Sequence, residues 1–159
     1  MIELASSTFR DTYRATDAAS EIADYVATHF TRHAFAGILA DTSTTLLVAQ
    51  SGERLVGYLQ IKASRPPPCV TGPAPLELSR LYLRVDTIGT GLGADFMRAL
   101  HDEARRRTSR TLWLVVYSGN DKARAFYRRW GFADVGFKDF QFGGKVYSDP
   151  VMAAAVPAG

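Results

Sequence analysis

Three glycines in five residues, Gly89-Thr90-Gly91-Leu92-Gly93, fall between a strand-patterned segment and a helix-patterned one. Glycine lets a backbone approach a ligand closely, and the unpaired amides at a helix N-terminus, reinforced by the macrodipole, hold a phosphate or pyrophosphate. A tight turn before a helix explains the same glycines without a ligand. No Lys-Ser or Lys-Thr pair follows, so the loop is not a P-loop. Gly89, Gly91 and Ala94 also satisfy the dinucleotide fingerprint G-x-G-x-x-A. That fingerprint needs an acidic residue about 20 positions on, at the end of the next strand, where Tyr117-Ser118-Gly119 has none.

Two further residues carry chemistry. Tyr127 shares a helical face with Ala123 and Trp130, which also suits a core tyrosine with a satisfied hydroxyl. Glu77 lies on the strand face opposite Leu76 and Leu78, where it reads equally as a solvated or ion-paired carboxylate. His29, His33 and His101 lack metal-ligand spacing and read as surface or capping residues, so no metal is expected. Cys69, the single cysteine, sits in a proline-rich loop with no recognisable histidine partner, which argues against a covalent acyl-cysteine and excludes an internal disulfide.

The elements that position these groups follow from periodicity. Leu4, Phe9 and Tyr13, then Ile22, Tyr25, Val26 and Phe30, recur at helical spacing, with an N-cap expected near Asp17; a short helix follows over Phe35 to Ala40. Thr44 to Gln50 and Leu55 to Lys62 flank a glycine turn and read as a hairpin. Arg65 to Pro75 holds five of the seven prolines and must be an irregular loop. In the strand Leu76 to Leu83, the pairs Leu76/Leu78 and Leu81/Leu83 keep period two on either side of a phase slip at Ser79 and Arg80. One extra residue there means a β-bulge. Gly91 to Thr108 is a helix presenting Leu92, Phe96, Leu100 and Ala104 on one face, and Thr111 to Tyr117 is a strand covered on both faces. Asn120 to Trp130 is a helix stopped by Gly131, and strands at Ala133 to Phe142 and Lys145 to Met152 turn at Gly143-Gly144. The end, residues 153–159, is expected to fray into a disordered tail.

Composition sets the frame. The 159 residues, 47% hydrophobic and 22% charged, predict one domain over residues 1–152. Apolar runs such as Leu112 to Val116 are far short of the ~20 residues that span a bilayer, so no membrane contact is expected and the chain reads as soluble and cytoplasmic. Residues 1–79 carry a net charge of −2 and residues 80–159 one of +5. A basic second half suits an anionic ligand, but its cations are mixed with acids and no nucleic-acid module is visible. Arg105-Arg106-Arg107 lies in a helix's last turn, where cations complement the dipole, so no nucleic-acid partner is expected.

The bulged strand Leu76 to Leu83, the loop Ile88 to Gly93 and the helix Asn120-x-x-Ala123-x-x-x-Tyr127-x-x-x-Gly131-Phe132 resemble, in order and spacing, the acyl-CoA motifs of the GCN5-related N-acetyltransferase (GNAT) family. Phe9-Arg10-Asp11-Thr12-Tyr13, Phe140-Gln141-Phe142-Gly143, Asp149 and Met152 are similar to the PaiA-like, largely bacterial subgroup. The resemblance implies an α/β (α+β) GNAT fold: a central mixed, splayed β-sheet flanked by helices. Two departures stand out. Ile88 occupies the place where the family usually has Gln or Arg, and Met1 already lies at the start of the first helix, so either the first family strand is missing or the chain start is assigned late. An edge left open by a missing strand would be covered by a partner subunit or a rearranged segment, and the former implies a homodimer.

The resemblance also implies roles. Acetyl-CoA is the cosubstrate and an amine, whether small amine, polyamine or peptide amine, is the acceptor. The donor's pyrophosphate is held by Ile88, Gly89, Thr90, Gly91, Leu92 and Gly93. Its pantetheine arm runs along Leu81, Tyr82 and Leu83, with Asn120, Ala123 and Phe126 alongside. Tyr127 is the acid that protonates the leaving thiolate, and Glu77 is the base. A degenerate binder of acyl-CoA, acting as sensor or structural subunit, is the alternative that Ile88 raises; a dinucleotide-binding protein is a further one.

Overall fold

The computed structural model describes residues 1–15, 18–142 and 144–157, apart from the side chains of Phe142 and Lys145. Helices α1 (Ile2–Tyr13), α2 (Ala19–His29) and α3 (Arg32–Ala40) precede the antiparallel hairpin β1 (Thr44–Ser51) and β2 (Arg54–Lys62). Then come β3 (Pro75–Leu83), a short 3-10 turn at Val85–Thr87, α4 (Leu92–Arg106), β4 (Thr111–Val115), α5 (Asp121–Arg129), β5 (Ala133–Phe142) and β6 (Lys145–Ala155). The six strands form one sheet in the order β1-β2-β3-β4-β6-β5. Only β3 and β4 pair in parallel. A doubly wound dinucleotide fold needs a mostly parallel sheet, and this one is not.

Two cores explain the layering. On one face Leu59, Ile61, Leu76, Leu78, Leu112 and Leu114 meet Phe96, Met97, Leu100 and Ala104 of α4 and Tyr127 of α5. On the other, Tyr58 meets Leu4, Ala5 and Phe9 of α1, Ile22 and Val26 of α2, then Phe30 and Phe35. Each fully buried apolar side chain contributes roughly 1.5–3 kcal/mol, so α4 is held by its stripe of three large residues more than by helix propensity. Leu112 and Leu114 enter the first core, whereas Trp113 packs with Val70 and Val151 on the opposite face. That is why β4 reads as an unbroken apolar run.

The bulge lies where the phase slip put it. Gln60 pairs with Arg80 and Ile61 with Leu78, which leaves Ser79 without an opposite number on β2. The expected N-cap Asp17 and the turn residue Gly143 lie outside the described residues. The C-terminal expectation needs correction. β6 continues to Ala155 because Thr111 pairs with Ala155 and Leu112 with Ala154, and Ala154 and Val156 are buried; the strand, not a tail, occupies 153–155. In the described residues no strand precedes α1, and β1 pairs on one side only, with β2.

The arginine run is structural. Arg105 pairs with Asp102 at 2.8 Å, while Arg106 and Arg107 both bind Glu103 at 2.6 Å. Glu103 also accepts from the Thr45 hydroxyl at 2.7 Å, and Arg107 donates to the Ser43 carbonyl at 2.9 Å. The end of α4 is thereby tied to the start of β1. The Arg106 guanidinium first, then Thr45 and Arg107, hold the Glu103 carboxyl down from 4.5 to about 2 against the opposing effect of burial. A folded-state value below the unfolded one means stability that is complete above pH 4.5 and lost as pH falls toward 2. Glu103→Gln is expected to flatten this acid limb, removing about 1–2 kcal/mol at neutral pH after solvent screening. Urea melts at several pH values read the effect.

Candidate active site

The glycine loop caps α4. Gly89 and Gly91 have φ of +87° and +97°, the left-handed region that side chains resist, and a Cβ at either would meet no atom within 4 Å. Glycine is thus required there by backbone conformation, and open space lies above it. Thr90 fixes the turn by donating its hydroxyl to the Thr87 carbonyl at 2.8 Å. The first turn of a helix has amides with no carbonyl behind them, and those of Leu92 and Gly93 stand at the positive end of a 15-residue helix. Ile88 opens the loop with 64% of its surface exposed, so it adds no polar group to this cradle. Gly93 fits closely against α5, since a Cβ there would lie 3.3 Å from the Phe126 ring. The loop and α5 therefore form one surface.

Beside that surface the sheet opens. β3 and β4 pair only at Pro75/Thr111, Leu76/Leu112 and Glu77/Trp113, and then diverge. From Leu78 to Leu83, the backbone groups of β3 that point away from β2 have no strand partner, and buried groups of this kind require one. The bulge at Ser79 lies within this stretch. Leu81 and Leu83 pack toward α4 and α5, whereas Tyr82 faces the other core.

Tyr127 is 8% exposed and its ring lies 5.5 Å from Phe126 and 5.9 Å from Phe132. Burial first, then the Tyr82 phenol across the opening, raises its pKa above the ordinary 10.0. The hydroxyl is consequently a neutral donor at physiological pH. Burial likewise pushes Tyr82 up to about 12, with Arg80 opposing. Glu77 occupies the last paired position before the opening and is half-buried; its carboxylate accepts a hydrogen bond from the Ser64 hydroxyl. Because Lys62 pairs with Glu77, Gln60 with Arg80 and Tyr58 with Tyr82, the bulge returns Glu77, Arg80 and Tyr82 to a single face.

That face is lined with aromatic rings. Tyr58 stacks on Tyr82 at 5.6 Å, Phe9 on Tyr25 at 4.6 Å, and Tyr13 lies 5.2 Å from Tyr117, which meets Tyr147 at 5.9 Å. Asp149, buried on β6, accepts from the Ser118 amide at 2.8 Å and so fixes the turn that carries Tyr117. Among the predicted site residues, Gly93, Leu83 and Phe126 come together at the loop, whereas Tyr127 and Tyr82 lie in the cores on opposite faces of the sheet. Asn120 is committed locally: its Oδ1 caps α5 by accepting from the Ala123 amide at 3.0 Å, which leaves only its amide nitrogen for other partners. Arg124 and Arg128 reach Asp134, which occupies them within the fold.

Several features escaped the sequence reading. His101 is buried against Trp130 rather than exposed, and burial, then Arg105, lowers its pKa. Ser64, the partner of Glu77, lies between the end of β2 and the proline-rich loop, where no sequence pattern marks it. Arg80, Tyr58 and Gln60 were legible in principle, since period two along β2 and the phase slip in β3 place all three beside Tyr82.

A mixed sheet that opens between its two parallel strands, with a glycine-capped helix at the opening, defines the class of an acyltransferase. The chain belongs to the acetyltransferase (GNAT) family, whose model matches residues 3–132, and is an acetyl-CoA-dependent N-acetyltransferase. An uncharacterized N-acetyltransferase of Mycobacterium bovis is 31% identical over 136 residues, covering 85% of this chain and 82% of the relative. Another, from Lactobacillus delbrueckii, is 24% identical over 79% of this chain and 73% of its own length. In fold, the chain resembles the PaiA N-acetyltransferase of Thermoplasma acidophilum, solved with coenzyme A, with a TM-score of 0.78 at 19% identity over 97% of this chain and 89% of that one.

Proposed function

We propose that the chain transfers the acetyl group of acetyl-CoA directly to a primary amine within a ternary complex, with Tyr127 as general acid and Glu77 as general base. The observation that carries this reading is the divergence of β3 from β4 just past Glu77, which joins the glycine-loop side of the sheet to the aromatic side. The pyrophosphate takes the amides of Gly89 to Gly93, and the pantetheine amides pair with the free backbone of Leu81 to Leu83, flanked by Ala123 and Phe126. The thioester oxygen takes a backbone amide beside the bulge, a donor fixed before charge develops on that oxygen.

Glu77 accepts a proton from the bound ammonium and passes it to solvent. The freed nitrogen lone pair attacks the thioester carbonyl, and collapse of the adduct breaks the C–S bond. The thiolate takes the Tyr127 proton, and the second amine proton restores the phenol. Thiol release measured with acetyl-CoA and a panel of amines tests the reading. Turnover supports it, whereas CoA affinity without turnover on any amine would identify the degenerate binder that Ile88 suggests.

The same reading includes association through the open side of β1. Sedimentation velocity is expected to give a dimer; a monomer at micromolar concentration removes this part.

A further inference from the structure

On the aromatic face, three polar atoms of the paired strands β2 and β3 are buried without a hydrogen-bond partner: Arg80 Nη1, Tyr58 Oη and Gln60 Oε1. Tyr58 and Gln60 are 0% and 6% exposed, and both project from β2 toward the side where Arg80 pairs opposite Gln60. The Arg80 guanidinium lies 5.3 Å from the centre of the Phe30 ring and close enough to Tyr25, Tyr58 and Tyr82 to oppose the rise that burial causes in the pKa of each. Among the described residues it forms no ion pair, although every arginine of the 105–107 run has one. Arg80 itself is half-buried, but its Nη1 is not exposed, and buried polar atoms are normally satisfied. A guanidinium without an ion-pair partner, a phenol donor and an amide acceptor on one sheet face are complementary to a carboxylate next to an N–H or O–H group.

We propose that Arg80, with Tyr58 and Gln60, binds a carboxylate of the acceptor, so that the substrate is an amine that is also an acid: an amino acid or an acidic N-terminal peptide. This rests on the proposed function above and specifies its acceptor. Arg80 and Glu77 are two pairing steps apart along β2, from Gln60 to Lys62, or about 7 Å at 3.3–3.4 Å per residue. That spacing suits an amino group and a carboxylate a few bonds apart on one small molecule. The Phe30 ring, 5.3 Å from the guanidinium carbon, helps to hold it in place, and the planar arginine fork binds a carboxylate through two parallel N–H donors.

The test is a series of amino acids from glycine to δ-aminovalerate, each paired with its carboxamide, together with putrescine, assayed by thiol release. The wild-type chain is expected to favour acids over their amides by about tenfold or more in kcat/KM. Arg80→Gln is expected to abolish that preference, lowering kcat/KM for the acids about tenfold more than for their amides, with CoA affinity unchanged. Tyr58→Phe, which keeps the ring packing, should reduce it by a few-fold and serves if Arg80→Gln fails to fold. Equal or better use of amides or putrescine by the wild type overturns the proposal, as does an equal loss on acids and amides in Arg80→Gln. If no amine is acetylated, the proposed function fails and the anion site is still decided by Tm. An amino acid must raise the Tm of the CoA-loaded wild type, its amide must not, and Arg80→Gln must lose the rise; no rise refutes it.

Discussion

Tyr127→Phe is expected to lower kcat about 10²-fold while the KM for acetyl-CoA stays within about twofold, the range that loss of a positioned general acid gives. The substitution removes one oxygen from a ring otherwise held by Phe126 and Phe132. The backbone role of the residue survives, because its carbonyl accepts from the Trp130 and Phe132 amides at 2.9 and 3.2 Å regardless of the hydroxyl. Stability should therefore change little. The departing thiolate, with an ordinary pKa near ~8.5, would have to leave unprotonated in a site that disfavours charge. Since burial raises the Tyr127 pKa above 10.0, no alkaline loss of activity should arise from this group at or below pH 10. Unchanged turnover would return Tyr127 to the role of a core ring.

Glu77→Gln should lower kcat/KM for the amine by about 10²- to 10³-fold at pH 7 and recover as pH approaches the amine's own pKa. An alkyl ammonium of pKa ~10.4 is only about one part in 10³ deprotonated at pH 7, a cost of about 4–5 kcal/mol that the base offsets. Glutamine preserves the shape and still accepts from the Ser64 hydroxyl that binds Glu77, so a purely structural glutamate predicts little loss. A structural role also predicts no alkaline rescue. Wild-type rates at every pH would exclude Glu77, whereas a loss that pH does not restore would indicate that it positions the acceptor.

The local features of this site were legible because short-range rules determine them. Period two broken at Ser79 and Arg80 gave the bulge, and three glycines before a stripe of Phe96, Leu100 and Ala104 gave the helix cap. The opening itself was implied by family resemblance alone, since nothing in Leu78 to Leu83 records where β4 stops pairing. The aromatic face draws on α1, α2, β2, β3, the turn after β4, and β6, so it exists only once the whole chain is assembled. Asn120 also carries a local role. Its spacing to Ala123 carries an N-cap signal, and the structure assigns its Oδ1 to that cap. The ragged composition after Ala153 concealed a strand end, because small residues fit where β6 packs against Thr111 and Leu112.

Initial rates measured over a grid of acetyl-CoA and amine concentrations, with the product identified by mass, test direct transfer in a ternary complex most directly. The account predicts N-acetylated amine, free CoA thiol and reciprocal plots that intersect. Parallel plots with an acetylated enzyme, above all on Cys69, would contradict it, as would tight CoA binding with no acetylated product.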